Sequence, residues 1–207
     1  MYSRRIKRIF DVAISIVFLV LFSWLYLILA ISVRVNLGSP VIYSARRIGK
    51  NNQAFKLYKF RSMTDEKDQS GQLLPDERRL THFGRILRRS SLDELPEVWN
   101  ILKGDMSWIG PRPWPVSYLP YFSKKEMQRH SIRPGLSGWA QVNGRTATNW
   151  DDRIKYDLDY LQNMSIWMDI IIVFLTLKSI ITKSGFVDAD EQEDFSAYRK
   201  RKTETKE

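Results

Sequence analysis

The sequence has no cysteine and only two histidines, His82 and His130. Without thiols there can be no disulfide framework and no thiolate metal centre. Two imidazoles do not make a histidine-based zinc site unless carboxylates complete it. The chain has no internal repeat, and at 207 residues it holds one domain with a real core but not two comfortable ones. Negative charge is in deficit, with 23 Asp and Glu against 33 Lys and Arg. A basic chain favours a partner that carries phosphate: nucleic acid, anionic lipid or a nucleotide-linked substrate.

The N-terminus weakens the case for nucleic acid. From Val12 to Val33, 22 consecutive residues carry no charge, proline or glycine. As a helix this run reaches about 33 Å, close to the hydrocarbon thickness of a bilayer. A cleaved signal peptide usually has a shorter apolar region and a small-residue cleavage site. Basic residues flank both ends: Arg4, Arg5, Lys7 and Arg8 before, and Arg34, Arg46, Arg47 and Lys50 after. The positive-inside tendency draws both flanks to the cytoplasm, which a helix that dips in and returns satisfies and a straight span does not, and both courses stay open on the residues alone. Ser23 lies mid-run, where its hydroxyl can bond a carbonyl one turn back and favour a bend. Trp24 beside it is no helix breaker.

Pro40–Tyr43 and Ala54–Arg61 read as the strands of a hairpin turning at Gly49-Lys50-Asn51-Asn52, with Lys56, Lys59 and Arg61 on or near one face. Residues 64–78 read as a polar loop with one helical turn at most. Leu80–Leu87 resumes a helical pattern, and the segment Trp150–Asn163 continues it. Ile166–Ile181 places Ile170, Val173, Phe174, Leu177, Ile180 and Ile181 on one stripe, while Asp169 and Lys178 argue against a second span. An interfacial helix fits it best, with a core helix as the alternative. The mixed-charge stretch 187–207 reads as a mobile tail.

Chemistry concentrates at Asp93-Glu94. Of two adjacent carboxylates, one can attack phosphorus while the other holds a divalent cation. The plainer reading is a capping box, Ser91-x-x-Glu94, at a helix start fixed by Pro96. The two roles are compatible, because a helix N-terminus also favours phosphate. Pro111-Arg112-Pro113 holds one arginine on a stiff backbone, suited to a bidentate phosphate contact. The stretch from Arg133 to Arg145 is rich in glycine, which permits close backbone approach to a ligand, and Gln141 and Arg145 offer polar ends. It matches neither a P-loop nor a dinucleotide fingerprint.

Taken in order, five blocks resemble the monotopic phosphoglycosyl transferases, the bacterial sugar transferase family. They are Tyr58-Lys59-Phe60-Arg61-Ser62-Met63, Ser91-Leu92-Asp93-Glu94-Leu95-Pro96, Leu102–Ser107, Ile109-Gly110-Pro111-Arg112-Pro113, and Arg133-Pro134-Gly135 through Asn143-Gly144-Arg145. The resemblance runs from about Lys7 to Gly185, and it is strongest to the small members that are little more than a catalytic core.

It implies an α+β, mostly helical fold: a monotopic membrane protein with a re-entrant N-terminal helix, amphipathic interfacial helices and a small β-hairpin. The organisation expected is a membrane helix over 1–36, a catalytic domain over 37–186 and the tail over 187–207. The implied reaction passes sugar-1-phosphate from a UDP-sugar to polyprenol phosphate and releases UMP, starting glycoconjugate assembly. By the same resemblance Asp93 is the nucleophile, forming a phosphosugar–aspartate, and Glu94 binds Mg²⁺. Lys59, Arg88, Arg112 and Arg145 surround the diphosphate, and Gln141 and Asp157 match further active-site positions. The expected place is the cytoplasmic face of the bacterial inner membrane, against membrane lipid, with no nucleic acid partner and with a homo-oligomer compatible. The alternatives are a non-catalytic basic protein of membrane surfaces and a nucleotide-sugar hydrolase. One departure stands out: family members usually carry Ser-Pro where this chain has Ser23-Trp24. A central proline costs a straight helix about 3 kcal/mol, and that penalty is missing here.

Overall fold

The computed structural model of the protein describes residues 4–143, 149–182 and 194–204. It is mostly helical with a small antiparallel hairpin. The apolar N-terminal run is not one rod. Helix α1 (Arg4–Leu21) and helix α2 (Ser23–Leu37) meet at Phe22 and bend by 66°. As the sequence suggested, the Ser23 hydroxyl donates to Val20 O at 3.0 Å, one turn back. Contacts on either side of the break hold it. On α1, Trp108 Nε1 donates to Ser15 Oγ at 3.1 Å, and the Trp108 and Phe18 rings lie 5.3 Å apart. On α2, the Tyr26 hydroxyl donates to Leu95 O at 2.7 Å. Among the described residues no single helix is long and apolar enough to cross a membrane, though the bent pair together meets that test.

The basic flank of α1 is partly spent inside the protein. Lys7 forms a buried ion pair with Asp169 at 2.6 Å, and Arg8 donates to Leu102 O at 2.8 Å. Asp11 accepts from Ser107 Oγ at 3.0 Å.

Strands β1 (Ile42–Ile48) and β2 (Ala54–Phe60) pair antiparallel, with Lys59 opposite Tyr43. The hairpin is where the sequence placed it, but β1 starts later and runs longer. Its basic residues do not share a face: side chains alternate along a strand, so Lys56 points to solvent while Lys59 is mostly buried. Arg61 turns away to Ser39 O, Met63 O and Asp65. The polar loop yields one short helix, α3 (Asp76–Arg79), followed by α4 (His82–Arg89), which Thr81 caps by accepting from Gly84 N.

Helix α5 (Glu97–Lys103) lies along β2. It ends at Gly104, whose φ of +101° suits glycine, and a Cβ there would meet the Arg8 guanidinium at 3.3 Å. Strands β3 (Ser107–Ile109) and β4 (Gly135–Ser137) form a short parallel pair. Here Gly110, Gly135 and Gly138 press backbone against backbone: a Cβ on Gly135 would sit 2.1 Å from Gly110 N. Gly135 and Gly138, from the glycine-rich stretch, thus have a packing role within the protein, while Gly144 lies outside the described residues.

Helices α6 (Trp139–Asn143), α7 (Trp150–Asn163) and α8 (Ile166–Ile181) follow. The α8 stripe from Ile170 to Ile181 faces outward, with Phe174 66% and Ile181 80% exposed, while Ile172 and Asp169 are buried. This overturns the core-helix alternative, because the apolar face lacks a covering element among the described residues. The tail also departs from expectation. Residues 194–204 include helix α9 (Phe195–Glu204), and Phe195 is wholly buried.

Candidate active site

Two elements bring the charged groups together. Buried Asn100 on α5 accepts from Tyr58 N at 3.0 Å and donates to Lys56 O at 2.7 Å. Satisfying both backbone groups locks the edge of β2 to the helix. Lys59, one residue on, thus faces the carboxylates at the start of α5. Its ammonium lies 2.6 Å from Glu94 Oε1 and 3.3 Å from Glu97 Oε1. Arg112 Nη2 also reaches Glu94 Oε1, at 3.0 Å.

The dyad itself sits in a tight 3-10 turn, Leu92–Glu94. Ser91 before it has φ +56°, a left-handed conformation uncommon for a non-glycine residue. An N-cap needs extended backbone to turn its oxygen toward the helix, so Ser91 makes no capping bond and the expected capping box does not form. Glu94 is left free to face the cations.

Asp93 is 7% exposed, yet its carboxylate has no hydrogen bond or ion pair among the described residues. Burial, with a further push from Glu94 against the pull of Lys59, Arg88 and Arg112, raises it to about 6. Glu94 goes the other way. Burial works to raise it, but Lys59 and Arg112 outweigh that and hold it well below the usual carboxylate range. Glu97, buried and beside Glu94, is raised to about 7 despite Lys59. Neighbouring carboxylates pushed apart in this way can take different chemical roles.

The arginine loop is pinned from beneath. Pro111 O accepts from Gly135 N, and Arg112 O accepts from Arg129 Nη2, both at 2.9 Å. Arg129 is itself buried and paired with Asp157 Oδ2 at 2.6 Å, and its guanidinium lies 4.3 Å from the Trp114 ring centroid.

The structure therefore gathers Asp93, Glu94, Lys59 and Arg112, with Arg88 near enough to act on the charge of Asp93. The direct bonds of Arg88 go to Ser62 Oγ and Met63 Sδ. Asp157 makes no bond to the dyad among the described residues and is joined to the Arg112 loop through Arg129. Gln141 donates to Leu136 O at 3.0 Å, and its buried Oε1 has no partner among the described residues. Arg145 lies outside the described residues. Glu97 and Asn100 escaped the sequence reading, as did Arg47 and Arg153, both close enough to Arg112 to feel its charge. A Glu three residues after Glu94 was the one signal available, and it pointed to Glu97 alone.

In such a cluster an unpartnered carboxylate stands beside one held by two cations, a combination compatible with chemistry at phosphate. The profile of the bacterial sugar transferases matches residues 2–183. The chain belongs to that family. Its motifs had pointed there, and the family's members named below share its length to different degrees. It is 44% identical over 180 residues to the Bacillus subtilis protein named uncharacterized sugar transferase EpsL, covering 87% of this chain and 89% of that one. It is 41% identical over 188 residues to the UDP-N-acetylgalactosamine-undecaprenyl-phosphate N-acetylgalactosaminephosphotransferase of Aeromonas hydrophila, covering 87% of this chain but only 44% of that one. The UDP-glucose:undecaprenyl-phosphate glucose-1-phosphate transferase of Klebsiella pneumoniae is 39% identical over 191 residues, covering 87% of this chain and 41% of that one. This family member thus spans less than half of the latter two relatives.

Proposed function

We propose that this family member transfers sugar-1-phosphate from a UDP-sugar to polyprenol phosphate through a phosphosugar intermediate on Asp93. The observation that carries the proposal is the Asp93 carboxylate: nearly buried, unpartnered among the described residues, and beside a Glu94 already held by Lys59 and Arg112. Relatives whose names state this reaction with undecaprenyl phosphate support it.

In the first step an Asp93 oxygen attacks the sugar-bearing phosphorus, and the bond to the bridging oxygen breaks with its electron pair leaving on UMP. In the second, a phosphate oxygen of the polyprenol phosphate attacks the same phosphorus and Asp93 departs as carboxylate. Neither step needs a proton from the protein. Lys59 and Arg112 lie where they can draw negative charge off the diphosphate as the anionic nucleophile approaches.

The donor set is compatible with Mg²⁺. Both cations use Glu94 Oε1, which leaves Oε2 unengaged, and no cluster of three His, Asp or Glu residues forms a closed cage among the described residues. Mg²⁺ is commonly held by one or two carboxylates together with substrate phosphates. Glu94 would hold it, and when bound it supplies further charge neutralisation at the diphosphate.

A lipid acceptor gives the exposed apolar surfaces of the bent α1–α2 pair and of α8 their purpose. The bent pair enters and leaves the bilayer by one face, and α8 lies in the interface, with the site on the cytoplasmic side.

The test is UMP release from a panel of UDP-sugars with polyprenol phosphate present, following the sugar onto the lipid. One UDP-sugar should yield equal UMP and lipid-linked sugar phosphate. UMP without lipid-linked sugar would mean a hydrolase, and no release from any sugar would mean a surface-binding protein.

A further inference from the structure

The family profile ends at residue 183, so α9 lies beyond it. This helix is nevertheless built into the ground beneath the site. Phe195 has no exposed surface and sits among four aromatic rings: Trp114 and Phe122 at 5.1 Å, Tyr118 and Trp150 at 5.3 Å. Polar contacts hold the helix down on the same side. The Tyr198 hydroxyl donates to Asp151 Oδ2 at 2.7 Å, Arg199 pairs with both Glu126 and Asp151, and the Tyr118 hydroxyl donates to Asp194 Oδ2 at 2.6 Å.

Trp114 is the ring that matters for chemistry. It follows Arg112 by two residues, and its carbonyl accepts from Ile48 N at 2.9 Å. Its face carries the Arg129 guanidinium, and Arg129 holds the Arg112 carbonyl. Phe195 presses on Trp114 next to that contact. The buried Phe195 ring thus packs on the same indole whose face carries Arg129.

We propose that α9 is a clasp that sets the position of Arg112 through Trp114 and Arg129, so that the C-terminal segment tunes affinity for the donor diphosphate. Phe195 is a positioning residue, since it touches no reacting group. The inference rests on the donor-site role of Arg112 given above.

The test uses UDP as probe, with binding to the full chain in detergent measured by titration calorimetry and folding by circular dichroism. Phe195→Ala should weaken UDP binding roughly tenfold without loss of helix, and Phe195→Leu should restore most of it. Adding Phe195→Ala to Arg112→Ala should cost little beyond Arg112→Ala alone, because both act on one contact. A purely structural role predicts additive losses, which would overturn the clasp, as would unchanged affinity in folded Phe195→Ala. If Phe195→Ala does not fold, Arg199→Gln takes its place in the same cycle: it loosens α9 and leaves the ring in place, and it should weaken binding about threefold. Unchanged binding in Arg112→Ala would defeat the donor-site reading and the clasp with it. Weakened binding in Arg112→Ala with none in either α9 variant defeats the clasp alone.

Discussion

At the scale of single residues, the dyad gains its chemistry from unequal surroundings. Asp93 and Glu94 are sequence neighbours, yet only Glu94 faces Lys59 and Arg112. Asp93 pays the desolvation penalty and sits at about 6, while Glu94 stays ionised. In the proposed mechanism the attacking form of Asp93 is the carboxylate, which dominates above that value and is lost as pH falls through it. The acid limb of kcat/KM for UMP release should therefore break near pH 6, not near 4, and a profile flat down to pH 5 would contradict the assignment. Asp93, Glu94, Lys59 and Arg112 were legible in the sequence because the dyad, the lysine and the arginine each stand in a recognisable block. Glu97 and Asn100 were not. Their roles come from the register between β2 and α5, in which Asn100 grips the strand edge, and one-dimensional order does not encode that register.

Among the elements, the bent N-terminal pair shows what replaces a missing proline. The Ser23 hydroxyl takes Val20 O, while Trp108 and Leu95 O anchor the helices on either side of Phe22. Only the first of these was visible in the sequence, since the other two need residues some seventy to ninety positions away. The failed capping box has a similar origin: spacing matched the motif, but the left-handed Ser91 removed its geometry. The proposed re-entrant course would keep both ends of the bent pair in the cytoplasm. Ser3→Cys should accordingly resist an impermeant thiol reagent in intact cells and react once the cells are opened. Labelling from outside would favour a spanning helix.

For the molecule as a whole, the site stands on buried charge and aromatic packing that composition did not reveal. Asp157 stood out in the sequence only through the family resemblance, and the structure puts it with Arg129 under the Arg112 loop. Arg129→Leu should destabilise the fold by about 3–5 kcal/mol, because it leaves Asp157 buried without a partner. Replacing both, Arg129→Leu with Asp157→Leu, should recover much of that loss in a denaturation midpoint. Full loss in the double variant would mean that the pair holds the loop by more than its charge. Phe195 was hidden for another reason: with Tyr198 it makes a single apolar pair among charged residues, too short for a periodic signal, and its burial depends on rings from two distant segments, Trp114–Phe122 and Trp150.

The central claim is covalent, and intact-mass spectrometry tests it most directly. Incubated with its UDP-sugar and no lipid acceptor, the protein should gain the mass of one sugar phosphate. The adduct should map to the peptide holding Asp93 and disappear when polyprenol phosphate is added. Asp93→Asn should carry no adduct and release no UMP. An Asp93→Asn variant that still turns over, or a wild-type chain that transfers sugar phosphate to lipid without ever gaining mass, would contradict the account.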